Sequence, residues 1–539
     1  MQFSRLAILA FVAFTMVYII GLFLNVMEVD AAQYASISRE MADDESWLQV
    51  MHRHQNYLDK PPLLFWLSAA MFKLFGVSNF AYKLPSFLFT LLGVFATFRL
   101  GKKLYNQQTG LVAALMLYGC QAWYLFNNDV RTDTILAASV IAAVWQLHEY
   151  MEELKFSNFI LGFVFVALGM LAKGPLGIMI PAMALGPYLL YKRDFKMLFN
   201  PLWVIGIAIV GLLLTPMVWG LYKQYGNEGP LFFFWTQSFG RITGENVWKN
   251  DAGALFFVHT FLWAFLPFSL LAYVGWGKKI IQILKSKAAL LYVPDVLVLS
   301  GFTLPFIALS LSHYKLPHYI YVVAPFAALL AASYIRSLTL KWQNIFAYIH
   351  LLVVASALGL VGVFCLWYFP LQSIILWAVI ALFIVFILWL IVKGKGLVKT
   401  LFPALFAVSL FNLVMNIHIY ANLLQYHSTS VMAEYVNEHN IPKDKLFYYK
   451  RIGHAFEFYT RMIVPQATIE SIKQSHADMW IVTDAEGLNE LTENGIIAAE
   501  TVPFNHYHIV MLTGKFLNPA TRNEMLEKRY LLRFTPLAH

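Results

Sequence analysis

The chain has 539 residues, of which 59% are hydrophobic and 13% charged, and its formal net charge is +9. Its mean hydropathy is +0.62, whereas soluble domains carry about 25% charged residues, so the composition excludes a soluble protein of this length. The basic residues sit in short loops between apolar runs rather than in one basic block, which ties the positive charge to membrane topology and excludes a nucleic-acid partner.

In chain order, apolar runs long enough to cross a bilayer recur up to residue 422. About thirteen are expected, near 5–25, 81–100, 108–126, 132–149, 156–173, 175–191, 200–222, 253–276, 291–312, 316–335, 343–368, 371–392 and 399–422. The first ends near Val29-Asp30-Ala31-Ala32, and its length and the acid at its end suit an uncleaved anchor rather than a signal peptide. A shorter apolar stretch, Leu63–Phe75, follows Pro61-Pro62, and loop charge decides its place. If it lies in the interface, one set of loops carries Arg99, Lys102 and Lys103; Lys155; Lys192, Arg193 and Lys196; Lys278, Lys279, Lys285 and Lys287; Arg336 and Lys341; and Lys393, Lys395 and Lys399. The short loops opposite carry Arg131, Lys173 and Lys315. That asymmetry places the basic loops and the N-terminus in the cytoplasm and the C-terminus outside.

The chain therefore divides into a transmembrane domain, 1–425, and a soluble tail, 426–539. The tail alternates helix-like segments (Ser430–Asn440, Ala485–Thr492) with strand-like ones (Lys445–Tyr449, Met479–Thr483, His508–Thr513), as a small α/β domain does. Cys120 and Cys365 lie inside apolar runs, and no disulfide is expected.

Ionisable residues near a bilayer are costly and mark function. On this topology they gather in the outer loops. Asp30 stands where the first run leaves the bilayer: it either caps a helix starting at Ala31 or, half desolvated, serves as a general base. The first loop closes with Asp59-Lys60-Pro61-Pro62. The second holds Asp129, Arg131 and Asp133, which by themselves read as a cap and a local ion pair. The third is Lys173-Gly174-Pro175, where the lysine either snorkels or holds a phosphate. The fourth, rich in aromatics, suits an amphipathic interface helix and carries Arg241, suited to a phosphate. The fifth holds His313, Lys315, His318 and Tyr319. Carboxylates with cations on one face fit transfer from a lipid phosphate: an acid takes the acceptor's proton and the cations stabilise the departing phosphate. No P-loop, dinucleotide fingerprint or His-Glu-x-x-His occurs. His52 and His54, or His313 and His318, leave a divalent metal open, and no other cofactor is indicated.

The ordered set Val29-Asp30-Ala31-Ala32-Gln33-Tyr34-Ala35 with Ser38-Arg39-Glu40-Met41, Asp59-Lys60-Pro61-Pro62 before Phe65-Trp66-Leu67, Lys83-Leu84-Pro85-Ser86, Arg131-Thr132-Asp133, Lys173-Gly174-Pro175 and Lys315-Leu316-Pro317-His318-Tyr319 resembles the membrane glycosyltransferases of the protein O-mannosyltransferase superfamily, of fold class GT-C. Within it the likeness is to the bacterial branch of lipid A aminoarabinose transferases, and it covers about residues 1–335. The resemblance implies thirteen spans with two interface helices in the first outer loop; with the residue readings above, the expected fold is an all-α polytopic membrane domain of about thirteen spans with interface helices in the first and fourth outer loops, followed by a small C-terminal periplasmic α/β domain.

The resemblance also implies inverting transfer from a polyprenyl-phosphate sugar to a hydroxyl or phosphate of a lipid A, glycan or protein acceptor at the periplasmic face of a bacterial inner membrane. By it Asp30 matches the catalytic acid, Asp133 the second acidic position, Lys60 the carrier-phosphate lysine and Arg241 a phosphate-binding arginine. Lys173 and Lys315 join them as phosphate ligands, and Tyr34, Asp59, Arg131, His318 and Tyr319 as further pocket residues. The chain departs from relatives at Ala31 and Asp59, where Glu is common, and at Ser238, where the aminoarabinose branch has His. A glycolipid transporter or flippase is the alternative, but such proteins often show two related halves and none is visible here. A scaffold acting through its tail is a third reading.

Overall fold

The computed structural model describes residues 2–27, 29–236, 250, 252–285 and 292–535. Helices dominate it, as a bilayer requires: with no water to satisfy backbone groups, each span must satisfy its own. Among the described residues nine helices are long and apolar enough to cross a membrane, and the pair Gln107–Tyr118 and Gln121–Asn128, bent by 47°, passes the same test of length and composition when taken together. The other expected runs are also helical. Thr132–Glu153 carries an acid at its start and several at its end, Leu176–Lys192 is shorter, and the run near 253–276 is broken into Phe256–Ala264 and Ser269–Lys285.

Burial orders the bundle. Only 22% of the apolar window of Ile374–Lys393 is buried, against 78% of that of Pro317–Ser337. The first therefore faces lipid and the second faces protein. Thr132–Glu153 is buried along almost its whole length and packs on Phe156–Lys173 and on Asn79–Leu104, so it forms the centre of the N-terminal half.

Between the first two spans, α1 (Phe3–Gly21) and α4 (Asn79–Leu104), lie two helices too short to cross, α2 (Asp30–Asp44) and α3 (Leu63–Phe75). They pack on each other, and a hairpin of β1 (Met51–His52) and β2 (Gln55–Asn56) joins them. At 13 residues, Leu63–Phe75 is shorter than the helices long enough to cross a bilayer. In the loop expected to carry the second interface helix only short helical turns, Glu228–Leu231 and Phe232–Thr236, are described.

The tail forms a four-stranded sheet of β3 (Leu446–Tyr448), β4 (Met479–Asp484), β5 (Glu500–His506) and β6 (Glu527–Phe534), in the order β3-β4-β6-β5. The β3–β4 pair is parallel and the other pairs are antiparallel. Two of the expected strands are present, but His508–Thr513 is a turn: Met511 N donates to His508 O, and the Tyr507 hydroxyl to Met511 O at 2.7 Å. Strands β5 and β6 were hidden in the sequence because β5 contains Pro503 and β6 begins with charged residues. Pro503 is tolerated because β5 is an edge strand.

The tail sits against the short helices of the first loop. Helix His454–Thr460 packs on α2, the Ser36 hydroxyl donates to His454 O at 2.9 Å, and the Tyr459 hydroxyl accepts from Val26 N and donates to Asn79, each at 2.7 Å.

Candidate active site

Several helix ends converge on one cavity, and the local sequence explains why. Gly174 has φ of +68°, which suits glycine, and it ends the helix Phe156–Lys173. The return helix Leu176–Lys192 then packs so closely that a Cβ on Gly177 would stand 2.3 Å from Met170 N. This tight hairpin projects Lys173 toward the start of Thr132–Glu153. There the Lys173 ammonium meets Asp133 at 2.5 Å and lies 4.2 Å from the centre of the Tyr319 ring. Lys173 therefore does not snorkel into solvent.

Asp30 is the first residue of α2, and the preceding Val29 makes no side-chain cap. Its carboxylate pairs instead with Nη1 of Arg131. Arg131 is also held from the other side, as Nε and Nη2 donate to Asp129 Oδ2 at 3.1 and 3.0 Å. One guanidinium thus bridges two acids. Burial alone lowers the Arg131 pKa, but the carboxylates of Asp129 and Asp30 outweigh it and raise the value, so the arginine stays charged. Burial raises the pKa of Asp129, and Arg131 only partly offsets it. Both Asp30 and Asp133 stand in the first turn of a helix, where the dipole favours negative charge.

Lys60 pairs with the adjacent Asp59. Tyr34, on the buried face of α2, stays protonated because burial raises its pKa further above neutrality, with Asp30 adding to the rise.

These side chains share one open cavity of about 1190 Å³. Asp30, Tyr34, Asp59, Lys60, Arg131, Asp133, Lys173, His318 and Tyr319 all line it. Its other wall is apolar and comes from two helical stripes: Leu176, Met179, Ile180 and Met183, and opposite them Pro305, Ala308 and Leu309, extended by Ser312. The spacing is that of one helix face. Sequence reading missed these stripes, because in a membrane helix every face is apolar.

Two expectations fall elsewhere. Lys315 does not line the cavity: its ammonium donates to the carbonyls of Ala252 and Gly253 at 2.9 and 3.2 Å. The extended step at Leu316 sends Leu316, His318 and Tyr319 to the cavity and turns Lys315 away. Arg241 and Ser238 lie outside the described residues. Of the histidines considered for a metal, His54 Nδ1 lies 3.7 Å from Asp44, and His318 belongs to the cavity wall. His52 instead meets His454 and Glu457, away from the cavity.

Residues 59–219 match the family model described as dolichyl-phosphate-mannose-protein mannosyltransferase. The undecaprenyl phosphate-alpha-4-amino-4-deoxy-L-arabinose arabinosyl transferase of Erwinia tasmaniensis is 26% identical over 347 residues, covering 61% of this chain and 60% of the relative. The Proteus mirabilis protein of the same name, numbered 2, is 25% identical over 65% of this chain and 64% of its own. The matched part thus spans less than two thirds of these relatives. The crystal structure of ArnT from Cupriavidus metallidurans bound to undecaprenyl phosphate superimposes with a TM-score of 0.75 at 17% identity, over 99% of this chain and 98% of that one. These matches bear out the resemblance read from the motifs, and the architecture is GT-C, in an integral membrane protein.

Proposed function

We propose that this chain is an inverting glycosyltransferase that moves a sugar from a polyprenyl-phosphate carrier to an acceptor hydroxyl or phosphate at the periplasmic face of a bacterial inner membrane. The observation that carries this reading is the two-sided cavity. One end gathers Asp30, Asp133, Lys60, Lys173 and Arg131, and the rest is an apolar trough between two helices. A ligand that fits has a charged phosphate at one end and a hydrocarbon chain at the other. The names of the relatives support 4-amino-4-deoxy-arabinose as the sugar. Lipid A, another glycan or a protein would supply the acceptor.

In this reading the acceptor oxygen attacks the anomeric carbon on the side opposite the phosphate. The new carbon–oxygen bond forms as the bond to the phosphate oxygen breaks, and the anomeric configuration inverts. Asp30 takes the proton of a hydroxyl acceptor; an ionised phosphate acceptor needs only orientation. Arg131 stays anchored on Asp129 when its Nη1 releases Asp30 to the acceptor. Lys60 and Lys173, with Arg241 from the fourth loop, neutralise the phosphate as it leaves. Asp133 holds Lys173 in place until the phosphate competes for it. The basic loops at the other ends of the helices support a cytoplasmic N-terminus, and the tail, as a domain of residues 426–539, then lies outside with the cavity.

Mass spectrometry of lipids and glycoproteins from cells lacking the chain would identify donor and acceptor together. The expected result is one missing glycosylated product, restored by the wild-type chain and not by Asp30→Asn. Restoration by Asp30→Asn at equal abundance would overturn the role of Asp30, and an unchanged glycan profile would overturn the transfer.

A further inference from the structure

A second cluster lies apart from the cavity, at the seam between the β1–β2 hairpin and the tail. His52 comes from β1, and His454 and Glu457 stand three apart on one helix. One ligand atom from each lies within 4.8 Å of the others. The imidazole rings of His52 and His454 have centroids 4.9 Å apart at 61°. Glu457 is fully buried, and its Oε1 accepts from Arg53 Nη1 at 2.7 Å and from Val464 N at 3.0 Å. Its Oε2 has no hydrogen-bond partner among the described residues, and neither does Nε2 of His52. Buried polar atoms left so are rare and ask for a cause.

We propose that His52, His454 and Glu457 bind a divalent transition-metal ion of the zinc class, which clamps the hairpin of the first outer loop to the tail. Two imidazoles and a carboxylate suit zinc-like ions, whereas magnesium and calcium prefer oxygen alone. Three protein ligands leave a fourth position for water. Zinc bonds of about 2.0–2.2 Å put tetrahedral ligand atoms about 3.4 Å apart, so the side chains must draw in by about an ångström on loading. Arg53 occupies Oε1 and leaves Oε2 for the ion, while holding the carboxylate in orientation. The guanidiniums of Arg39 and Arg53 beside the cluster are themselves paired with the carboxylates of Glu40, Asp43 and Glu457. From the hairpin the chain runs through Tyr57 to Asp59 and Lys60, so the clamp would steady the cavity mouth without touching the reaction.

The test is metal content of the full chain, purified in detergent, incubated with zinc chloride and desalted. Wild type should retain about one zinc per chain. His52→Ala and His454→Ala should each lower this at least tenfold, while His54→Ala, 69% exposed on the same hairpin, should not. Cobalt in place of zinc should give the visible absorption of a tetrahedral site, lost in the same two variants. If an alanine variant fails to fold, the glutamine variant at that position replaces it. Retention of less than a tenth of an equivalent by wild type, or full retention by both His52 and His454 variants, would overturn the site. These readouts do not depend on sugar transfer, so an inactive but zinc-loaded protein would count against the proposed function and not against the metal.

Discussion

Arg131 and Asp30 stand 101 positions apart in the chain and form an ion pair in the cavity wall. The pair draws the start of α2 to the loop ahead of Thr132–Glu153. Asp129 holds the same guanidinium from its other side.

Asp30→Asn removes the proposed base by an isosteric change. Purified variant should still bind polyprenyl phosphate within a few-fold of wild type and lose transfer to a hydroxyl acceptor by about 10²–10⁴-fold. Initial rates with labelled donor check this, and a variant within tenfold of wild type would remove Asp30 from the chemistry.

Asp129→Asn acts through Arg131. A guanidinium displaced by about 1 Å can cost about 10²-fold in rate, so kcat should fall while KM for the donor changes little. A fall in KM-controlled binding with kcat intact would instead make Asp129 part of the lipid site.

Lys60→Ala should raise the KM for the donor, since a hydrogen bond to a charged group contributes about 1.5–3 kcal/mol. Lys60→Arg should recover part of the loss. Binding of polyprenyl phosphate, measured by scintillation proximity, would show no change if Lys60 serves only Asp59.

Lys173 and Asp133 are nearly buried, with side-chain exposures of 13% and 4%. Removing one partner of a buried pair costs about 3–5 kcal/mol, and replacing both can be neutral. Lys173→Met alone should lower thermal stability. Lys173→Met with Asp133→Leu should recover it and remain inactive. Full activity in the double variant would reduce the pair to packing.

Glu40 gives a pH signature. Its burial pushes its pKa up from 4.5 to about 7, and the Arg53 N–H and Arg39 only partly oppose this. A raised acid contributes stability that is complete below about 4.5 and lost as pH rises through about 7. With chelator present throughout, the melting temperature of wild type relative to Glu40→Gln should fall between pH 5 and pH 8. A constant difference across that range would contradict the burial of an ionisable group there.

The sequence alone was enough for the membrane and the succession of apolar helices. Both are local: a run of apolar residues dictates a helix in lipid. It also marked Lys60, Asp133 and Lys173, because a charged residue between apolar runs stands out. It left Asp30 between cap and base, since a carboxylate at a helix start looks the same in either role. Only the tertiary structure decided that Asp30 meets Arg131 rather than capping α2, and that Lys315 turns to the carbonyls of Ala252 and Gly253. The apolar wall of Met179, Met183 and Leu309 likewise emerges only on folding. Its stripes have the spacing of a helix face, but so do the faces turned to lipid, and hydrophobicity inside a bilayer does not tell a cavity from the membrane around it. The meeting of His52 with His454 and Glu457 was equally out of reach. It depends on where a segment about 400 residues away in the chain packs, and no local pattern of residues encodes that.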